Sequence, residues 1–265
     1  MKFELNKSQI NFYKQNGYII IKNVITKTEL QTIKNKLGIL EKKQKNNNFR
    51  GLSEPGVSKS LIHSLHKEKL FNKNIFEKDW YKKTCQSLIG SIKTITWNCK
   101  SNLKRKWHGS AEYYHQDFNY WRVYGFKNSD MLSCMIFVDN HSHQNGGMWI
   151  FPKSHLKYVK HEKFLNINSL QKFFIPSKIL SRLSKKNKPI HINEKAGSCI
   201  FFHCKLIHGS AHNISGKDRR ILLSQVANYD DFTKVDISKV DSNSSAIRKV
   251  YEKKILKERL SIINK

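Results

Sequence analysis

The residues with the most chemistry to offer lie in the run Tyr113-Tyr114-His115-Gln116-Asp117-Phe118. On a strand, side chains two apart point to one face, so His115 and Asp117 would present an imidazole and a carboxylate to the same ion. A second imidazole from elsewhere completes a two-histidine, one-carboxylate face, which leaves three coordination positions open for substrates and O2. His208, just after the apolar run 198–203, is the candidate. Taken alone, a His-x-Asp pair is more often a histidine hydrogen-bonded to a nearby carboxylate, so its surroundings must decide. His141 and His143 have ligand-like spacing, but they stand in a polar turn and are expected at the surface. His203 is expected to face away from His208. Cys199, Cys204 and His208 suggest a zinc site, but that grouping leaves the carboxylate and Arg219 unexplained.

The elements that must position these groups change character along the chain. Residues 5–37 read helix, strand, helix. Leu5, Ile10 and Tyr13 recur at helical spacing with Ser8 as a cap, and the helix closes at Gly17. A β-branched run follows, and then Thr26 and Glu29 stand at capping-box spacing ahead of Leu30, Ile33 and Leu37. The polar, Asn- and Lys-rich residues 38–60 predict a mobile loop, and helical patterns recur over 61–70 and 80–89. From residue 91 the texture is that of strands. Residues 94–103 alternate, with Trp97, Cys99, Ser101 and Leu103 on one face and Asn98, Lys100 and Asn102, continued by Lys104, on the other. Residues 131–139, 147–151, 198–203 and 219–229 are further strand candidates, punctuated by Gly-containing turns. A helical stretch over 164–183 interrupts them. Many short strands without intervening helices indicate an antiparallel sandwich or jelly roll. Residues 1–232 are read as one domain with N-terminal helices, and 233–265 as a basic, helical C-terminal extension.

Several separated blocks together carry a family resemblance. The opening helix–strand–helix, then His115 to Trp121, then 133–155, then 195–220, resemble the phytanoyl-CoA dioxygenase family of Fe(II)/2-oxoglutarate oxygenases in order and spacing. The resemblance covers roughly residues 5–230 and is nearest to ectoine hydroxylases around His115. It implies a mainly β protein with flanking helices, built on a double-stranded β-helix, the jelly-roll or cupin-like barrel. It implies iron held by His115, Asp117 and His208, with 2-oxoglutarate and O2 as co-substrates and hydroxylation of an unactivated C–H bond as the outcome. Arg219 falls where the family places the arginine for the far carboxylate of 2-oxoglutarate, and Ser210 where it places a hydroxyl partner. A guanidinium fork matches a carboxylate in geometry, which agrees. Arg219 and Arg220 alternate on a strand, so only one points inward, and Arg219 shares its face with Ile221 and Leu223. Asn98 and Asn102 resemble residues lining the co-substrate pocket, and Trp121 resembles a substrate-side aromatic, although core packing explains it equally. Gln116 departs from the ectoine-type pattern, which carries Ser there.

Composition bounds the alternatives. The chain has 265 residues, 38% apolar and 26% charged, enough for a self-sufficient core. A mean hydropathy of -0.60 and the lack of a long apolar run argue against a membrane span or signal peptide, so a cytoplasmic protein is expected. Five cysteines without a CxxC pair suggest reduced thiols. The formal charge of +29 invites a nucleic-acid reading. The basic residues are mostly Lys spread along the whole chain among Asn and Ile, which reads as a coding bias, and base readers lean on Arg. The expected partner is a small-molecule substrate of a monomer or homodimer. The competing readings are an acyl-CoA hydroxylase of the same family and a non-catalytic barrel that binds anionic ligands or nucleic acid through its basic surface.

Overall fold

The structure, a computed structural model, describes residues 3–47, 51–53, 59–122, 125–163 and 173–233. The proposed extension 233–265 therefore lies, but for its first residue, outside the described residues, as does 164–172 of the helical reading of 164–183; of the rest, Phe173–Phe174 is a strand and only Ser177 onward is helical.

The chain opens with α1 (Lys7–Asn16), β1 (Tyr18–Ile21) and α2 (Lys27–Asn47). Asn6, not Ser8, caps α1, in a reciprocal capping box with Gln9. The helix ends at Gly17, whose φ of 80° suits a residue without Cβ. Thr26 and Glu29 bond to each other as the capping-box spacing predicts. Helix α2 then runs ten residues past the point where a loop was expected to begin. Gly38 weakens it locally, but continuing the helix buries Leu40 and lays Glu41 against Arg220, with contacts of 2.9 and 3.1 Å. The strands β2 (Gly51–Ser53) and β3 (Lys59–Ile62) also stand where a loop was expected, because β3 completes hydrogen bonding along β4. A short helix α3 (Lys69–Phe71) and α4 (Asp79–Ile89) follow.

The strands that position the chemistry come next: β4 (Thr94–Lys104), β5 (Glu112–His115), the one-turn helix α5 (Phe118–Trp121), β6 (Met131–Phe137) and β7 (Met148–Ile150). After them come β8 (Glu162–Lys163), β9 (Phe173–Phe174), α6 (Ser177–Ser184), β10 (Ile190–His191), β11 (Cys199–His203), β12 (His208–Ser210), β13 (Arg219–Asn228) and α7 (Tyr229–Phe232). Among the described residues they form two main antiparallel sheets, in the orders β1-β11-β6-β13-β4-β3-β2 and β10-β7-β12-β5. The β8–β9 pair stands apart. The two sheets face each other in a jelly roll that does not close into a continuous barrel.

Period-two alternation sorts the large sheet's side chains between two layers. Cys134, Ile136, Cys199, Phe201 and Leu222 join α1, α2 and α4 in one core. Met135, Phe137, Ile200, Phe202, Ile221 and Leu223 meet Met148 and Ile150 of the small sheet in another. The face of β4 that reads as polar is the one that points between the sheets: Asn102 bonds Glu112 of β5, and Lys104 bonds Ser210 of β12. A bulge in the β4–β13 ladder leaves Trp97 unpaired and parts it from Cys99, against the simple alternation. Trp97 packs with Trp121, Phe126 and Phe232, whereas Cys99 lies in the helix-side core. All five cysteines are buried free thiols.

Candidate active site

His115 ends β5, and β12 begins with His208, which is its direct register partner. The two imidazole rings therefore lie side by side, with centroids 4.3 Å apart. Asp117 is not on the strand, as the period-two reading required. It has φ -55° and ψ -37° and opens α5, and the following amide, Phe118 N–H, donates to the Cys204 carbonyl. The chain turns there because that hydrogen bond pulls it off β5, and the turn still brings the carboxylate back to the histidines. Asp117 Oδ1 lies 3.7 Å from His115 Nε2 and 3.8 Å from His208 Nε2. All three side chains are buried, and among the described residues they are the one His/Cys/Asp/Glu group with donors close enough to share an ion.

The tautomers are set by the backbone. His115 Nδ1 donates to the Tyr113 carbonyl at 2.8 Å and His208 Nδ1 to the Leu206 carbonyl at 2.9 Å. Each bond requires a proton on Nδ1, which turns the lone pair of Nε2 toward Asp117. Burial, and then the neighbouring His115, push His208 down to about 4. Burial opposes the charge on Asp117, but His208, His115 and the Ser133 hydroxyl outweigh it and hold the carboxyl at about 2. Burial likewise works against a charged His115, yet Asp117 and then Glu112 keep its pKa raised. Two imidazole lone pairs and a carboxylate converging in a buried space need a cation between them, and this donor set fits a divalent transition metal.

A second polar group lies in the same inter-sheet space. Lys104 and Arg219 are register partners on β4 and β13, and both are buried. Lys104 Nζ donates to Ser210 Oγ at 2.7 Å and to the Ala211 carbonyl at 2.6 Å. Arg219 donates through one terminal nitrogen to the Gly146 carbonyl at 3.2 Å, while its Nε is buried without a protein partner. Burial, eased by Glu112 and then Asp139, brings the Arg219 pKa down to about 10. Gly146, with φ 78°, permits this approach, since a Cβ there would lie 2.9 Å from both Lys104 Cδ and the Ala211 carbonyl. Arg220 points the other way, to Glu41 and Asp139.

Asn98 and Asn102 are buried on the inner face of β4, each with a carbonyl oxygen that has no protein partner, and the same holds for Gln225 of β13 opposite Asn98. Trp121 lies in the buried aromatic cluster, edge-on to Trp97 at 5.8 Å. His141 is not at the surface. It is 1% exposed, and its Nε2 accepts the Met148 N–H at 2.7 Å, because the turn folds back over β7. Two residues escaped the sequence reading. Lys104 was visible only as one lysine among many, although its place on the polar face of a strand was a signal. Gln116, wholly buried, bonds the carbonyls of Lys157 and Lys205 and the amide of Val159, and so ties the 157–161 segment beneath the His115–Asp117 turn.

Comparison with known proteins agrees with this geometry. A family profile described as phytanoyl-CoA dioxygenase (PhyH) matches residues 13–221. An ectoine dioxygenase of Bordetella bronchiseptica is 22% identical over 224 residues, covering 80% of this chain and 71% of the relative. The human peroxisomal phytanoyl-CoA dioxygenase is 25% identical over 244 residues, covering 85% and 69%. The crystal structure of EctD from S. alaskensis with 2-oxoglutarate and 5-hydroxyectoine superposes with a TM-score of 0.73 at 18% identity, covering 86% of this chain and 77% of that one. With the profile running through nearly all of the described strands, on a fold shared with such relatives, the chain belongs to the phytanoyl-CoA dioxygenase family.

Proposed function

We propose that this protein hydroxylates an unactivated C–H bond of a small polar metabolite, with O2 and 2-oxoglutarate consumed and succinate and CO2 released. The class, an Fe(II)- and 2-oxoglutarate-dependent dioxygenase, is that of the family. The observation that carries it to these residues is the pairing of a buried two-histidine, one-carboxylate set at the small sheet with two buried cations on the large sheet that faces it.

His115, Asp117 and His208 would hold the iron through His115 Nε2, Asp117 Oδ1 and His208 Nε2. When bound, iron and 2-oxoglutarate supply the O2 activation that the side chains of a protein lack. The chain's own residues hold and orient. Arg219 and Lys104 offer charge-assisted donors to the far carboxylate of 2-oxoglutarate, and Ser210, fixed by Lys104, flanks it. The surrounding apolar residues, Phe137, Phe202 and Ile221 among them, keep water from the space between the sheets. Asn98, Asn102 and Gln225 put amide groups beside it, which suits a compact substrate with polar groups better than a bare hydrocarbon chain. The relatives divide on this point, since one is an ectoine dioxygenase and another a phytanoyl-CoA dioxygenase. Succinate release stimulated by amino acids and cyclic solutes, compared with acyl-CoAs, is the test. Stimulation by an acyl-CoA alone would overturn the substrate class and leave the dioxygenase standing.

A further inference from the structure

The carboxylate of Asp117 uses its two oxygens differently. Oδ1 faces both histidines, while Oδ2 accepts a hydrogen bond from Ser133 Oγ at 2.6 Å. Ser133 is wholly buried in the middle of β6, between β11 and β13, with Phe202 and Gln225 as register partners. Its backbone is thus held on both sides by sheet hydrogen bonds, whereas Asp117 lies on a turn outside the sheet.

We propose that Ser133 is a positioning residue that keeps Asp117 a one-oxygen ligand. This rests on the metal-site reading above. A carboxylate that can rotate freely offers both oxygens to a metal, and two-oxygen binding would fill one of the three positions the chemistry needs. With Oδ2 engaged by a hydroxyl on a strand paired along both edges, only Oδ1 is available. The three remaining positions then accommodate a chelating 2-oxo acid and one further ligand. A buried serine needs an acceptor in any case. Ser224 on the adjacent strand, however, satisfies that need with a backbone carbonyl, that of Cys134, so the carboxylate is not the default choice.

The test uses the full chain loaded anaerobically with Co(II) as a spectroscopic probe, titrated with 2-oxoglutarate, for the wild type, Ser133→Ala and Arg219→Met. Ser133→Ala is expected to change the visible Co(II) spectrum before any co-substrate is added. It is also expected to weaken 2-oxoglutarate binding at saturating metal, and to weaken the metal itself by about 10–100-fold, the range typical for loss of a partner to a metal ligand. Arg219→Met is expected to weaken 2-oxoglutarate while leaving the metal-only spectrum unchanged. A wild-type spectrum and wild-type 2-oxoglutarate affinity in Ser133→Ala would overturn the proposal and reduce Ser133 to packing. No Co(II) spectrum in the wild type would instead remove the metal-site reading beneath it. If thermal melting shows Ser133→Ala unfolded, Ser133→Cys, of similar shape and poorer as a donor, is read by the same two criteria.

Discussion

Lys104 and Arg219 face each other across the β4–β13 ladder, two buried cations in direct register on one face of a sheet. Like charges opposite one another destabilise a sheet, and an anionic co-substrate between them would offset that cost beside Glu112 and Asp139. Lys104→Met and Arg219→Met should each raise the apparent KM for 2-oxoglutarate by roughly 30-fold or more, since losing a buried charge-assisted partner costs ~2–5 kcal/mol. Metal content should stay near that of the wild type. Arg220→Met should leave the KM alone and lower stability, because its partners are Glu41 and Asp139. If Arg220→Met raises the KM and Arg219→Met does not, the assigned face of β13 is wrong.

The proposed metal ligands should separate cleanly from His141, another buried histidine. Asp117→Ala, His115→Ala and His208→Ala should each lose iron in metal analysis and stop 2-oxoglutarate turnover. His141→Ala should retain iron but lose about 1–3 kcal/mol of stability, because the buried Met148 N–H is left without an acceptor. Denaturant unfolding beside metal analysis of the same preparations checks both halves.

Trp121 offers a test of core against substrate contact. Its ring is 4% exposed within the cluster of Trp97, Phe126 and Phe232. Trp121→Ala should therefore cost ~3–5 kcal/mol in urea unfolding, as large-to-small changes in a core do. A cost below about 1 kcal/mol would take the ring out of the core and return it to the substrate's side.

Stability should fall in mild acid for a reason that lies away from the metal set. Burial, then the nearby His155 and Lys205, push His203 down to about 3, and its Nδ1 accepts the Lys205 N–H, which only the unprotonated nitrogen can do. An unfolded histidine titrates near 6.5. Between those two values the unfolded chain binds a proton that the native one refuses, so stability drops as pH falls below about 6.5 and levels near 3. Each such histidine contributes at most about 1.4 kcal/mol per pH unit. His203→Asn, which keeps an acceptor and cannot titrate, should flatten the decline in melts taken from pH 7.5 to 4.5.

The sequence by itself determined the parts whose signal is local. The strand spacing, the inward face of Arg219 and the Thr26–Glu29 cap each depend on neighbours within one turn or one strand, and pattern reading reaches that far, whereas grouping His208 with His115 and Asp117 rests on the family resemblance of separated blocks. Tertiary structure alone decided what covers each face. The polar side of β4 faces a second sheet and not solvent, which turns Lys104, in a chain of 49 basic residues, into a buried partner of Ser210. The turn carrying His141 folds over β7 and buries it, Gly38 stays helical because Arg220 waits for Glu41, and a bulge reassigns Trp97. Asp117 reaches the histidines from a turn because the Cys204 carbonyl, far along the chain, takes the Phe118 amide. Periodicity states which side chains share a face. Burial and charge pairing depend on the element that lies against that face, and that is a property of the fold as a whole.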